Sequence, residues 1–202
     1  MDPMTSPPPP LPSETHVCED CGFDYASVAV DEACEEILAL PSRVRDAALA
    51  VPARLRRLRP SPETWSVVGY ACHLRDVYAV STIRLHRART EDQPALEPML
   101  NDLRALRFRY DERDLAAVLD ELAATATGFC EEVEAVPGDQ WDRRVTRLPG
   151  ESRTARWLVR HALHEGRHHL RDITAVARAV SGGEDVGSHT PRGAASQRGR
   201  AP

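Results

Sequence analysis

Between residues 115 and 133 the apolar positions Leu115, Val118, Leu119, Leu122, Phe129 and Val133 recur every three or four residues, with acidic residues between them. That spacing lays one apolar stripe along an α-helix and predicts a helix from Asp111 to Ala135, stopped by Val136-Pro137-Gly138. The same period returns after Thr154, a ready N-cap, and runs until Ser181-Gly182-Gly183. Upstream, residues 30–58 carry Ile37, Leu38, Leu40, Val44, Leu49 and Leu55, interrupted by Pro41 and Pro52. An interior proline costs a helix about 3 kcal/mol, so this segment is expected to break or kink, or to start a turn at Pro41. Ser61-Pro62-Glu63 opens a turn, and Ser66 or Thr64 can cap a further helix reaching about Arg89. Pro94 and Pro98 mark a long loop. No segment sustains period-two alternation, so little or no sheet is expected. Four main helices and one long crossover loop predict an all-α four-helix bundle.

Composition limits what surrounds this bundle. Residues 1–14 are proline-rich and residues 181–202 nearly free of apolar side chains, so both are expected to be disordered tails around one domain at 15–180. The net charge of −5 advertises no nucleic-acid partner. No run is long and apolar enough for a membrane span. The N-terminus has neither the basic nor the apolar region of a secretory signal, and the five cysteines are an odd count, so reduced thiols and a cytoplasmic location are expected. All 26 basic residues are arginine, which together with abundant alanine points to a GC-rich coding sequence.

One stretch stands out chemically. LVRHALHEGRHHLRDI, residues 158–173, places four histidines and a glutamate in about four helical turns. On a helical wheel with Ala155 at zero, the apolar residues fall within an arc from about −60° to +80°. His169 lands near about −40°, inside that arc, and Glu165 near about −80°, at its edge. His164 and His168 land near about 180° and 220°, leaning toward solvent. Glu165 and His169 are therefore an i, i+4 pair on the inner face, and a carboxylate at the margin of a core needs a partner. In VVGYACHLRDVYAVS, residues 67–81, His73 flanks the apolar stripe and can point into the bundle. One histidine from the second helix plus a Glu/His pair from the last makes three protein ligands, the pattern of an open divalent-metal site. A hydrogen-bonded core histidine and a plain charge pair account for the same residues. His164 with His168 is a second i, i+4 pair, ranked behind because of its outward lean, and His161 could pair with Glu165. Asp172, one turn past His169, could accept a ring N–H or be a surface acid.

Trp65-Ser66, His73-Leu74, Trp141, Thr154, His161, Glu165-Gly-Arg-His168-His169 and Asp172-Ile173 together resemble the DinB-like superfamily over about residues 30–180. That group includes thiol-dependent S-transferases and, more distantly, mycothiol-dependent maleylpyruvate isomerases. The resemblance implies a four-helix bundle, often a homodimer, with zinc or nickel held at the positions of His73, Glu165 and His169. Many relatives have histidine in place of Glu165, whereas the isomerase branch has glutamate. The start of the chain, CEDCGFDY at 18–25, resembles the opening of an actinobacterial Cys-x-x-Cys-Gly-Phe-Asp subset. Cys18 and Cys21 are half of a zinc site or a redox pair, with Cys34 and His16 the nearby candidates to complete four ligands. An ordered turn pivoting on Gly22 is the simpler expectation, and Cys72 and Cys130 read as packing residues.

A thiol bound to such a metal is activated as the thiolate. The resemblance implies mycothiol as that thiol, with a small electrophile as its partner in transfer or isomerisation. Arg75 and Arg84 could face an anionic substrate. Two other classes remain open: a hydrolase or lyase using metal-bound water, and a non-enzymatic stress or binding protein with a structural or vestigial metal. No individual catalytic residue is assigned.

Overall fold

The computed structural model describes residues 10–182; the expectations for residues 1–9 and 183–202 lie outside them. Helix α1 spans Val30–Leu49, α2 Val67–Thr90, α3 Asn101–Arg107, α4 Leu115–Glu134 and α5 Ala155–Gly182. A two-stranded antiparallel sheet, β1 (Arg144–Thr146) and β2 (Ser152–Thr154), precedes α5. Helices α1, α2, α4 and α5 form the bundle. Each of α1 and α2 packs against both α4 and α5, while α1 barely touches α2. The chain therefore crosses the bundle diagonally between α1 and α2 and again between α4 and α5. The long connection after α2 joins neighbours, is pinned to β1 by Leu96 N–H donating to Thr146 O at 2.7 Å, and carries α3, which the apolar pattern does not announce.

The expected caps form. Ser66 accepts from Gly69 N–H at 3.0 Å to open α2, and Thr154 accepts from Trp157 N–H at 3.1 Å to open α5. Helix α4 starts later than its pattern suggests: Asp114 caps it by accepting from Ala117 N–H at 2.9 Å, and Tyr110–Glu112 is a separate 3₁₀ turn. Helix α1 runs straight through Pro41, contrary to the expected break. Pro41 lies buried between Leu40 and Val44 on the core face, where packing offsets the lost hydrogen bond. The amino-terminal segment also departs from expectation. Leu11 N–H donates to Glu151 at 2.9 Å, Arg153 donates to the carbonyls of Leu11 and Pro12 at 2.6 Å each, and Glu14 accepts from Thr154 N–H at 2.8 Å. Residues 11–14 are thus clamped to the start of α5, because arginine and carboxylate partners some 140 positions away satisfy a backbone whose composition reads as tail.

A buried carboxylate ties α2 to the connection that follows it. Asp76 accepts from Tyr110 Oη at 2.5 Å, from Arg104 Nη2 at 2.8 Å and from Arg75 Nε at 2.8 Å. Burial opposes ionisation of Asp76, but these donors outweigh it and hold the carboxyl below its ordinary 3.8. Asp76→Asn is expected to lower stability at pH 7 by about 2 kcal/mol, less than a fully buried pair because both guanidiniums keep some water. A carboxyl with a depressed folded-state pKa stabilises the fold above its unfolded value, and that contribution is lost as pH falls through the folded value. Urea titrations should therefore separate variant and parent at pH 7 and bring them together below about pH 3.8. A constant gap across that range would remove Asp76 ionisation as the cause.

Candidate metal centre

The inner face of α5 meets α2 where Gly166 allows it. A Cβ on Gly166 would lie 2.4 Å from Leu40 Cδ1 and 2.5 Å from Tyr78 Oη, so only glycine permits this approach. The preceding residue, Glu165, is thereby delivered to His73 of α2. Glu165 Oε2 lies 3.3 Å from His73 Nε2 and 3.5 Å from His169 Nε2, and the ligand atoms of all three side chains lie within 4.8 Å of one another. These gaps are long for N–H···O hydrogen bonds. They match the edge of a tetrahedron around zinc, which is about 3.4 Å for ligand bonds near 2.1 Å.

The donors are oriented for this task, and the neighbouring acids and burial set their charges. His169 Nδ1 lies 2.8 Å from Asp172 Oδ2, which leaves Nε2 to point at Glu165. Burial works against protonation of His169, yet Asp172 and Glu165 raise it to about 9. Burial likewise opposes charge on Glu165, but contacts from His164, His169 and His73 hold it well below the ordinary carboxylate range. Burial pushes His73 down, so its imidazole is neutral, the form that binds metal. Its Nδ1 is buried and has no hydrogen-bond partner. His73 is 1% exposed, while the side chains of Glu165 and His169 are 18% and 17% exposed, so the trio is closed on one side and open on the other. Trp65 packs against His73 with ring centroids 4.9 Å apart, and Tyr70 against His169 at 5.3 Å. These two aromatic walls were not assigned a role from the sequence; Tyr70, one turn before His73, was the available signal.

The other expected residues fall around the trio, with ligand atoms of His161 and His164 within 4.8 Å of that of Glu165. His164 is 8% exposed and does not face solvent, and His168 is half-buried. The wheel placed both outside because it cannot see a non-helical segment covering that face. The cover is residues 16–25, anchored by Phe23 and Tyr25, whose rings lie 5.4 Å and 5.3 Å from that of His164. It brings Cys18 and Cys21 together with His164 and His168. His16 packs on Tyr25 and Cys34 lies beside Cys130, so neither completes a set with the Cys-x-x-Cys pair as expected. His161 Nδ1 lies 2.8 Å from Tyr25 Oη, and burial pushes this imidazole down to about 4, so it is neutral. Arg75 is committed to Asp76 and Glu121 and does not face the trio. Arg84 donates to Glu97 O at 2.7 Å, and burial works against its charge.

The family model described as the DinB superfamily matches residues 22–173, from just past Cys18 and Cys21 to the end of the histidine-rich stretch. The chain belongs to the DinB superfamily. Among solved structures it is similar to YfiT from Bacillus subtilis, described as "a probable metal-dependent hydrolase with an unusual four-helix bundle topology". The identity is 18% and the TM-score 0.69, over 75% of this chain and 89% of that one. This likeness establishes a shared fold for the DinB chain. No curated protein matches it. No helix among the described residues of this DinB protein is long and apolar enough to cross a membrane.

Proposed function

We propose that this DinB protein binds a zinc- or nickel-type divalent ion through His73, Glu165 and His169 and uses it in thiol-dependent transfer or isomerisation of a small electrophile. The observation that carries the reading is the convergence of two imidazoles on one carboxylate oxygen at 3.3 Å and 3.5 Å. Such an ion, when bound, supplies Lewis acidity that favours the thiolate of a coordinated thiol at neutral pH. The protein's own residues do the rest. Asp172 fixes the ring of His169, and Trp65 and Tyr70 exclude water from one flank. A soluble low-molecular-weight thiol of the mycothiol class fits this role. Action in the cytoplasm as a homodimer completes the proposal.

A second reading is a metal-dependent hydrolase, favoured by the description of YfiT. The two separate in one assay. Protein loaded with zinc or nickel is incubated with monobromobimane and mycothiol, and separately with activated esters and no thiol. Thiol-dependent conjugation that falls at least about 100-fold in Glu165→Ala is the expected result, as for loss of a group needed to hold the ion. Ester turnover without thiol would replace this reading with hydrolysis. Absence of turnover in both arms, with metal bound, would mark a binding protein.

A further inference from the structure

The side chains of Cys18, Cys21, His164 and His168 form a second cluster beside the trio, which it meets where His164 Nδ1 lies 3.7 Å from Glu165 Oε1. Their four ligand atoms lie within 4.8 Å of one another. The one sulfur–nitrogen distance that defines the edge, Cys18 Sγ to His168 Nδ1, is 3.6 Å. A tetrahedral zinc with Zn–S near 2.3 Å and Zn–N near 2.05 Å sets that edge at about 3.6 Å. The set is two sulfurs and two nitrogens, a closed tetrahedral complement of the structural type.

The local backbone is shaped for thiolate charge. Gly22, at φ +71°, turns the chain so that its N–H donates to Cys18 O at 2.8 Å, and Cys18 N–H donates to Phe23 O at 2.9 Å. In this tight turn the N–H groups of Asp20 and Cys21 aim at the Cys18 sulfur, and that of Phe23 aims at the Cys21 sulfur. His164 supplies a further observation. Both of its ring nitrogens are buried without a hydrogen bond, although Nδ1 lies 3.7 Å from Glu165 Oε1, in a side chain 10% exposed. A native imidazole is seldom left so, because an unmet buried polar atom is costly. The i, i+4 spacing of His164 and His168 puts both rings on the face that the turn covers.

We infer that Cys18, Cys21, His164 and His168 bind a structural zinc ion that fastens the amino-terminal turn to α5. Binding deprotonates both thiols and releases those protons to solvent, so the ion and its two thiolates form an electrically neutral unit. Bridging positions about 150 residues apart in sequence, the ion closes a loop that spans most of the described chain. The site has no vacant position and so takes no part in turnover.

Cobalt titration of the full chain tests this. Reduced protein stripped with a chelator is titrated with Co(II), followed by Zn(II). Wild type and His73→Ala are both expected to show thiolate-to-cobalt charge-transfer absorption from one Co(II) per chain, bleached by zinc, with wild type binding a further, thiolate-free Co(II) at the trio that His73→Ala lacks. The zinc-loaded wild type should protect two of its five thiols from a disulfide reagent. Cys18→Ser/Cys21→Ser should lose the absorption and one equivalent of metal. No charge-transfer band in the cobalt-loaded wild type would overturn the inference whether or not any variant folds. So would a band that survives in Cys18→Ser/Cys21→Ser, which would place the coordinating thiolate on another cysteine.

Discussion

Gly166→Val is expected to destabilise the protein by about 3 kcal/mol, lowering its melting temperature by roughly 6–12 °C. The first added carbon already falls 2.4 Å from Leu40 and 2.5 Å from Tyr78. Both neighbours are 1% exposed, so neither side chain can swing out to make room. Valine brings two further methyls and recovers only a few tenths of a kcal/mol of helix propensity over glycine. The helices must separate instead, which withdraws Glu165 from His73, so metal affinity should fall together with stability. Gly128 in α4 is the control. A Cβ there meets nothing within 4 Å, and Gly128→Ala is expected to raise stability by about 0.5–1 kcal/mol. Thermal unfolding followed by circular dichroism measures both. A Gly166→Val protein that melts with the parent would show that α5 does not depend on this contact.

His73→Ala is expected to weaken metal binding at the trio by about 10³-fold, more than the 10–100-fold typical of an outer partner. His73 is the sole donor from α2; Glu165 and His169 share α5. Removing it leaves two ligands on one helix, one fewer than the three that the centre offers. Asp172→Asn, which only disturbs the orientation of His169, should fall within the 10–100-fold class. Isothermal titration with zinc and elemental analysis after dialysis report both effects. Equal affinities for parent and His73→Ala would dissolve the proposed centre, and Asp172→Asn weaker than His73→Ala would reverse the order of roles.

Much of this was legible because a helix repeats. The caps at Ser66 and Thr154, the extent of α2 and α5, and the inward placement of Glu165 and His169 follow from local spacing, which a helix converts directly into direction. What the spacing missed lies where distant segments meet. His164 and His168 looked solvated because the wheel describes one helix alone, whereas Phe23 and Tyr25 cover them from the far end of the chain. Pro41 looked like a break because the penalty is local and the compensating burial is not. Gly166 carried no signal, since its smallness acquires meaning only against Leu40 and Tyr78. The clamp on residues 11–14 depends on Glu151 and Arg153, which no pattern links to a proline-rich stretch.

The diagonal connections have a kinetic consequence. Helical bundles usually assemble quickly because successive helices zip together as hairpins. Here α1 must find α4 and α5, and α2 must find α5, before either face is covered. The rate-limiting search therefore spans most of the polypeptide, and α5, made after the other three bundle helices, is the one that completes the assembly.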